Sequence, residues 1–176
     1  MEITTAILCD FAQVREGLLF ISSGGISRVF HPPDQPFPRP LGFSLALTIE
    51  IGPDELKKAH EVRAIVKENA TTTKMGQAVG AFQTNTAINM ESGESLTAPL
   101  VVPLGLISVA GYGAYDVHVS LDDGTSRILT FYVKRPPPGM VVPKVHLGAS
   151  PPPVQPNRDA RRHPEGKRPP RPRPPR

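Results

Sequence analysis

Leu41-Gly42-Phe43-Ser44-Leu45-Ala46-Leu47-Thr48-Ile49-Glu50-Ile51 is the stretch whose reading decides the fold. Leu41, Phe43, Leu45, Leu47, Ile49 and Ile51 fall on every second position, with Gly42, Ser44, Ala46, Thr48 and Glu50 between them. A period of two sends successive side chains to opposite faces of an extended strand, whereas a helix would need apolar residues three and four apart. The segment therefore reads as a strand with one face in a core and one face wet.

The same period recurs on both sides of it. Ile3, Thr5, Ile7 and Cys9 alternate with Thr4, Ala6, Leu8 and Asp10, and this reading puts Cys9 on the Ile3/Ile7 face. Leu18–Ser22 and Ile26–Phe30 flank Ser23-Gly24-Gly25, which reads as a hairpin turn because glycine tolerates positive φ. His31–Pro40 holds five prolines in ten residues and reads as a stiff surface connection, since proline donates nothing to a ladder. Gly52–Lys58 offers at most a short helical connector. Glu61–Glu68 and Gly76–Gln83 are strands joined through Asn69–Lys74. Leu96–Val102 is a strand that Pro99 and Pro103 confine to an edge or a bulge.

The closing pair gives the clearest hairpin. Tyr115, Val117, Val119 and Leu121 lead into Asp122-Asp123-Gly124, and Leu129, Phe131 and Val133 run back. About nine strands, short turns and hardly any helix imply an all-β domain, an antiparallel immunoglobulin-like β-sandwich. Gly113-Ala114-Tyr115-Asp116-Val117-His118-Val119 sharpens this, because a Tyr there resembles the tyrosine corner whose hydroxyl bonds to backbone a few residues upstream. No Trp is present and no Cys follows two residues after the Tyr, so the likeness is one of architecture.

The chain of 176 residues divides by chemistry near Lys134. Residues 1–134 carry 10 Lys+Arg against 14 Asp+Glu, a net of −4, while residues 135–176 carry 10 against 2, a net of +8. The second segment also holds 14 of the 22 prolines and hardly any large apolar side chain beyond Leu147. It buries too little to offset the entropy of ordering, so the expected organisation is one domain at 1–134 and a disordered basic, proline-rich tail at 135–176.

Targeting and redox signals point to the cytoplasm. An acid at position 2 and Asp10 after a short apolar run do not make a secretory leader. No apolar run approaches the ~20 residues of a membrane span. A single Cys rules out an intrachain disulfide.

Leu8-Cys9-Asp10, Glu16-Gly17-Leu18, Gly24-Gly25-Ile26, Leu41–Ile51, His60-Glu61-Val62 and the Gly113-x-Tyr115-x-Val117-x-Val119 run together resemble a family of uncharacterised bacterial proteins, frequent in actinobacteria and known as a domain of unknown function. The resemblance spans residues 1–134 and implies the strand-rich fold. It brings no activity, cofactor or catalytic residue.

Reactive chemistry is sparse. Cys9 lacks a neighbouring base and reads as a buried, inert thiol. His31, His60, His118, His146 and His163 show no i, i+2 or i, i+4 pair that would aim two rings at one metal. Asp122 and Asp123 suit the tight turn, and no Asp-x-Asp-x-Asp calcium loop follows. Gly24-Gly25 and Gly111-x-Gly113 lack the spacing and the following helix of a phosphate loop. No cofactor, metal or catalytic set is expected, and the chain reads as a non-catalytic interaction module of unknown partner.

Two alternatives stand beside that reading. Arg158, Arg161, Arg162, Lys167, Arg168, Arg171, Arg173 and Arg176, spaced by prolines in extended geometry, suit RNA, DNA or an anionic surface. The tail has no aromatics for stacking on bases, and GC-rich codons produce the same composition without any partner. Pro169-x-x-Pro172 also resembles a ligand of proline-recognising domains. The second alternative is a ligand-binding or enzymatic pocket around Tyr112, Tyr115 and His118. Sandwiches carry their variable chemistry in joining loops, which directs attention to His31–Pro40 and Ala70–Lys74.

Overall fold

The computed structural model describes residues 1–84, 91 and 93–140. Regular structure among them is all β apart from one 3-10 turn at Pro53–Glu55. The strands are β1 (Glu2–Arg15), β2 (Leu18–Gly24), β3 (Arg28–Phe30), β4 (Arg39–Pro40), β5 (Ser44–Ile51), β6 (Ala59–Glu68), β7 (Lys74–Gln83), β8 (Leu96–Pro103), β9 (Ser108–Val109), β10 (Gly113–Leu121) and β11 (Ser126–Lys134). One sheet has the order β2-β1-β5-β8, a second β3-β11-β10-β6-β7, and β4 pairs with β9 alone.

The two larger sheets share one core. Leu45, Leu47, Ile49 and Ile51 of β5 are fully buried with Tyr115, Val117 and Val119 of β10, Phe131 of β11, and Val62, Ala64 and Val66 of β6. Each such aliphatic side chain contributes about 1.5–3 kcal/mol by leaving water. Phe131 ties the layers at one end, with Phe43 edge-on to it at 5.3 Å and Tyr115 stacked at 5.6 Å.

The outer face of β5 is drier than its alternation implies. Ala46 is buried with Cys9 and Ala12, under Leu19 and Val101. The reason lies in β1, where the register against β5 slips between Ile3 and Thr5. One extra residue there reverses the facing of everything after it. Ile3 and Leu8 consequently enter the main core, while Cys9 lies on the opposite face from Ile3, contrary to the uninterrupted pattern.

The first hairpin also differs from expectation. It joins β1 to β2 through Glu16-Gly17, both at positive φ (52° and 76°), the conformation of a two-residue turn matched to strand twist. Ser23 and Gly24 instead still belong to β2, and residues 25–27 carry the chain from one sheet to the other, where β3 runs parallel to β11. The ladders are therefore antiparallel with one parallel exception.

Other expectations hold at residue level. β8 lies at a sheet edge, the position that tolerates its two prolines, which have no N–H to donate. Asp122–Gly124 closes the β10–β11 hairpin, with the Gly124 amide donating to the Leu121 carbonyl at 3.2 Å. The Tyr115 hydroxyl donates to the Gly111 carbonyl at 2.9 Å and accepts from the Gly111 amide at 3.2 Å, the upstream backbone bond foreseen for this Tyr. Of the tail at 135–176 expected to be disordered, residues 141–176 lie outside the described residues.

Candidate functional site

One end of the fold gathers the features that face outward. β1 pairs with β5 only from Glu2 to Cys9 and then continues with β2 alone, so Asp10–Arg15 and Leu18–Gly24 form a two-stranded ribbon running past the start of β5. In its register Phe11 lies opposite Ser22, Gln13 opposite Phe20, and Arg15 opposite Leu18, which places Phe11, Phe20 and Leu18 on one face. These three are 56%, 48% and 62% exposed. Val14 and Ile21 are exposed as well. Leu19 is the only β2 residue that is even half-buried.

The warning in the sequence was Leu18-Leu19-Phe20-Ile21. Four consecutive apolar residues in a strand cannot all point into one core. Reading the segment as half of a conventional hairpin with Ile26–Phe30 hid that consequence.

The proline-rich loop at this end is more tightly held than a surface connection. His31 is buried and its Nδ1 accepts from the Arg39 guanidinium at 3.0 Å, so the ring proton sits on Nε2 and is donated to the Gln35 carbonyl at 3.0 Å. Arg39 also donates to the Phe30 carbonyl at 3.0 Å. Phe37 packs on His31 at 4.3 Å and edge-on to Tyr112 at 5.1 Å, and the Tyr112 hydroxyl donates to the His31 carbonyl at 3.2 Å. Arg135 lies over the Tyr112 ring at 5.2 Å where the chain leaves β11. These bonds and ring contacts of His31, Arg39 and Phe37 hold the loop's shape.

At the opposite end His60 is the mirror case. Its Nδ1 faces the Asp122 carboxylate at 3.3 Å and its Nε2 faces the Glu55 carbonyl at 2.8 Å. Both partners are acceptors, and each ring nitrogen is turned towards one of them. Phe82 covers the ring at 5.4 Å. The arrangement fastens the 3-10 turn to the β10–β11 turn. Its second nitrogen is already engaged by backbone, which leaves no free edge for proton transfer to a substrate.

Tyr112, Tyr115 and His118 do not converge. Tyr115 is in the core with its hydroxyl committed to Gly111, Tyr112 packs on the His31 loop, and His118 stands on the outer face between Ile65 and Ile128. Ala70–Lys74 is an exposed turn closed by its own threonines, with the Thr71 hydroxyl donating to the Glu68 carboxylate at 2.5 Å and standing 2.8 Å from the Thr73 hydroxyl. Cys9 is wholly buried and donates weakly to the Ser44 carbonyl at 3.6 Å. Burial, with the nearby Asp10 charge, pushes its thiol above the ordinary range and away from the nucleophilic thiolate.

Among the described residues no group of three or more His, Cys, Asp or Glu side chains is placed to hold a metal ion. Arg158, Arg161, Arg162, Lys167, Arg168, Arg171, Arg173 and Arg176 lie outside the described residues. No helix among the described residues is long and apolar enough to cross a membrane.

A comparison with curated proteins finds no match to this chain. A family model of unknown function does match, over residues 4–134, which takes in the alternating strands, the ribbon and the Tyr115 hairpin. The chain belongs to that family, DUF6941.

Proposed function

We propose that the chain is a non-catalytic, cytoplasmic interaction module built on an immunoglobulin-like β-sandwich at residues 1–134, followed by a disordered tail at 135–176. One observation carries the reading: the polar groups with chemical potential, Cys9, His31, His60 and Tyr115, spend their bonds inside the fold, while Phe11, Leu18 and Phe20 face water on a projecting ribbon. An enzyme keeps reactive groups accessible and an interaction module keeps apolar anchors accessible.

A photo-activatable side chain at Leu18 tests this in living cells. Discrete crosslinked species from position 18, absent from a control position such as Ser126, are the expected outcome. Identical smears from both positions overturn the reading.

The charge split favours a second activity in the tail, whose +8 contrasts with the −4 of the body. Full-length protein should bind heparin or RNA at low salt, with affinity falling steeply as salt rises. Replacing all eight basic residues from Arg158 to Arg176 by Gln should abolish the retention, and unchanged retention removes this reading.

A further inference from the structure

We infer that the ribbon's partner is a second copy of this chain, added antiparallel along the free edge of β2. The inference rests on the interaction-module reading and names the partner for its surface.

The edges of the two sheets are not alike. β8 carries Pro99 and Pro103, β3 is only three residues long, and β7, though ten residues long, opens on the charged Lys74. β2 has seven residues, no proline and no charge, and its outer side is unpaired among the described residues. An uncharged, proline-free edge is the kind that folded proteins otherwise guard against, because its open backbone groups template another strand.

Self-complementarity selects the occupant. If β2 lies antiparallel on itself about Ile21, Leu18 meets Gly24, Leu19 meets Ser23, Phe20 meets Ser22, and Ile21 meets its own copy. Every bulky side chain except the central pair faces a small one. No charged residue occurs from Leu18 to Ser27, so the two-fold arrangement sets no like charges against each other. The result joins two β2-β1-β5-β8 sheets edge to edge.

The area sets the strength. The five exposed apolar side chains of the ribbon present on the order of 500 Å² per copy, divided between its two faces, with Phe11, Leu18 and Phe20 on one and Val14 and Ile21 on the other. Two copies contribute at most about 1,000 Å², the lower bound of a specific interface. The dimer is therefore weak and reversible, and its mass depends on concentration.

Sedimentation of the full-length protein over a wide concentration series should show mass rising towards twice the monomer. Phe20→Lys, an exposed position, should keep the circular-dichroism spectrum and remain monomeric. Ile21→Cys gives an independent readout, since facing residues in antiparallel ladders stand about 4.5–5.5 Å apart at Cα, within disulfide reach. It should form a covalent dimer under mild oxidation, whereas Ser23→Cys should not, Cys9 being buried in both. A monomer at every concentration, a dimer unaffected by Phe20→Lys, or equal crosslinking of the two Cys variants overturns the proposal. A monomer that still gives discrete photo-crosslinks at Leu18 overturns self-pairing alone, and loss of both overturns the module reading too.

Discussion

Replacing Tyr115 by Phe removes one oxygen atom and leaves the ring that stacks on Phe131 at 5.6 Å. The hydroxyl donates to the Gly111 carbonyl and accepts from the Gly111 amide, and the residue is 0% exposed. A single hydrogen bond nets about 0.5–1.5 kcal/mol, but the substitution also strands two backbone groups whose desolvation costs about 1–3 kcal/mol each when fully buried. Gly111 is only half-buried, so water recovers part of this, and the expected loss is about 1–3 kcal/mol. Urea unfolding should show a lower midpoint with an unchanged slope.

The pH dependence of the same variant checks the cause. Burial, partly opposed by the Gly111 hydrogen bond and reinforced by Glu68, raises the Tyr115 phenol above its ordinary value of 10.0. With the folded state holding this proton more tightly, the stabilisation is complete below the unfolded value and is lost as pH rises above it towards the folded value. The gap between wild type and Tyr115→Phe should therefore narrow above that pH. A loss below about 0.5 kcal/mol, or a gap that widens at alkaline pH, refutes the assignment of this hydroxyl as a buried clasp.

Two further outcomes follow from buried and paired groups. Native protein should resist thiol reagents at Cys9 and react at once after unfolding, because the thiol is buried and its ionisation is pushed upward; rapid labelling of the folded chain contradicts this. Asp123 is raised by burial, but the bonds from Thr125 and the amino terminus at 3.1 Å prevail and hold its carboxyl below the usual range. Its contribution is present above the unfolded carboxylate value and is lost as pH falls through the folded one. Thermal unfolding of Asp123→Asn should therefore be less acid-sensitive than wild type, and parallel acid profiles contradict the pairing.

The body was legible where one face of a strand is buried and the other is not. Leu41–Ile51, Val62–Val66 and Tyr115–Leu121 announced their facing because hydrophobic burial enforces a period of two. The misreading of β1 has a specific cause: a single extra residue near Thr4 reverses facing, and nothing in Ile3-Thr4-Thr5-Ala6 distinguishes a slip from regular pairing. Glu16-Gly17 did carry a turn signal, but Ser23-Gly24-Gly25 carried a louder one and proved to be the end of β2 and the start of a sheet-to-sheet crossing. The projecting ribbon was legible in retrospect from Leu18–Ile21. The His31 clasp was not, since it depends on Arg39 and Tyr112 meeting in space across very different sequence separations.

β1 belongs to two ladders in succession, holding β5 over its first half and β2 over its second. Anything gripping the ribbon tip therefore pulls lengthwise on a strand whose rungs to β5 lie across the line of force. Loaded in shear, those rungs share the tension and yield together instead of unzipping in turn. The protruding arm is thus a mechanically strong handle, anchored directly in the middle of its sheet.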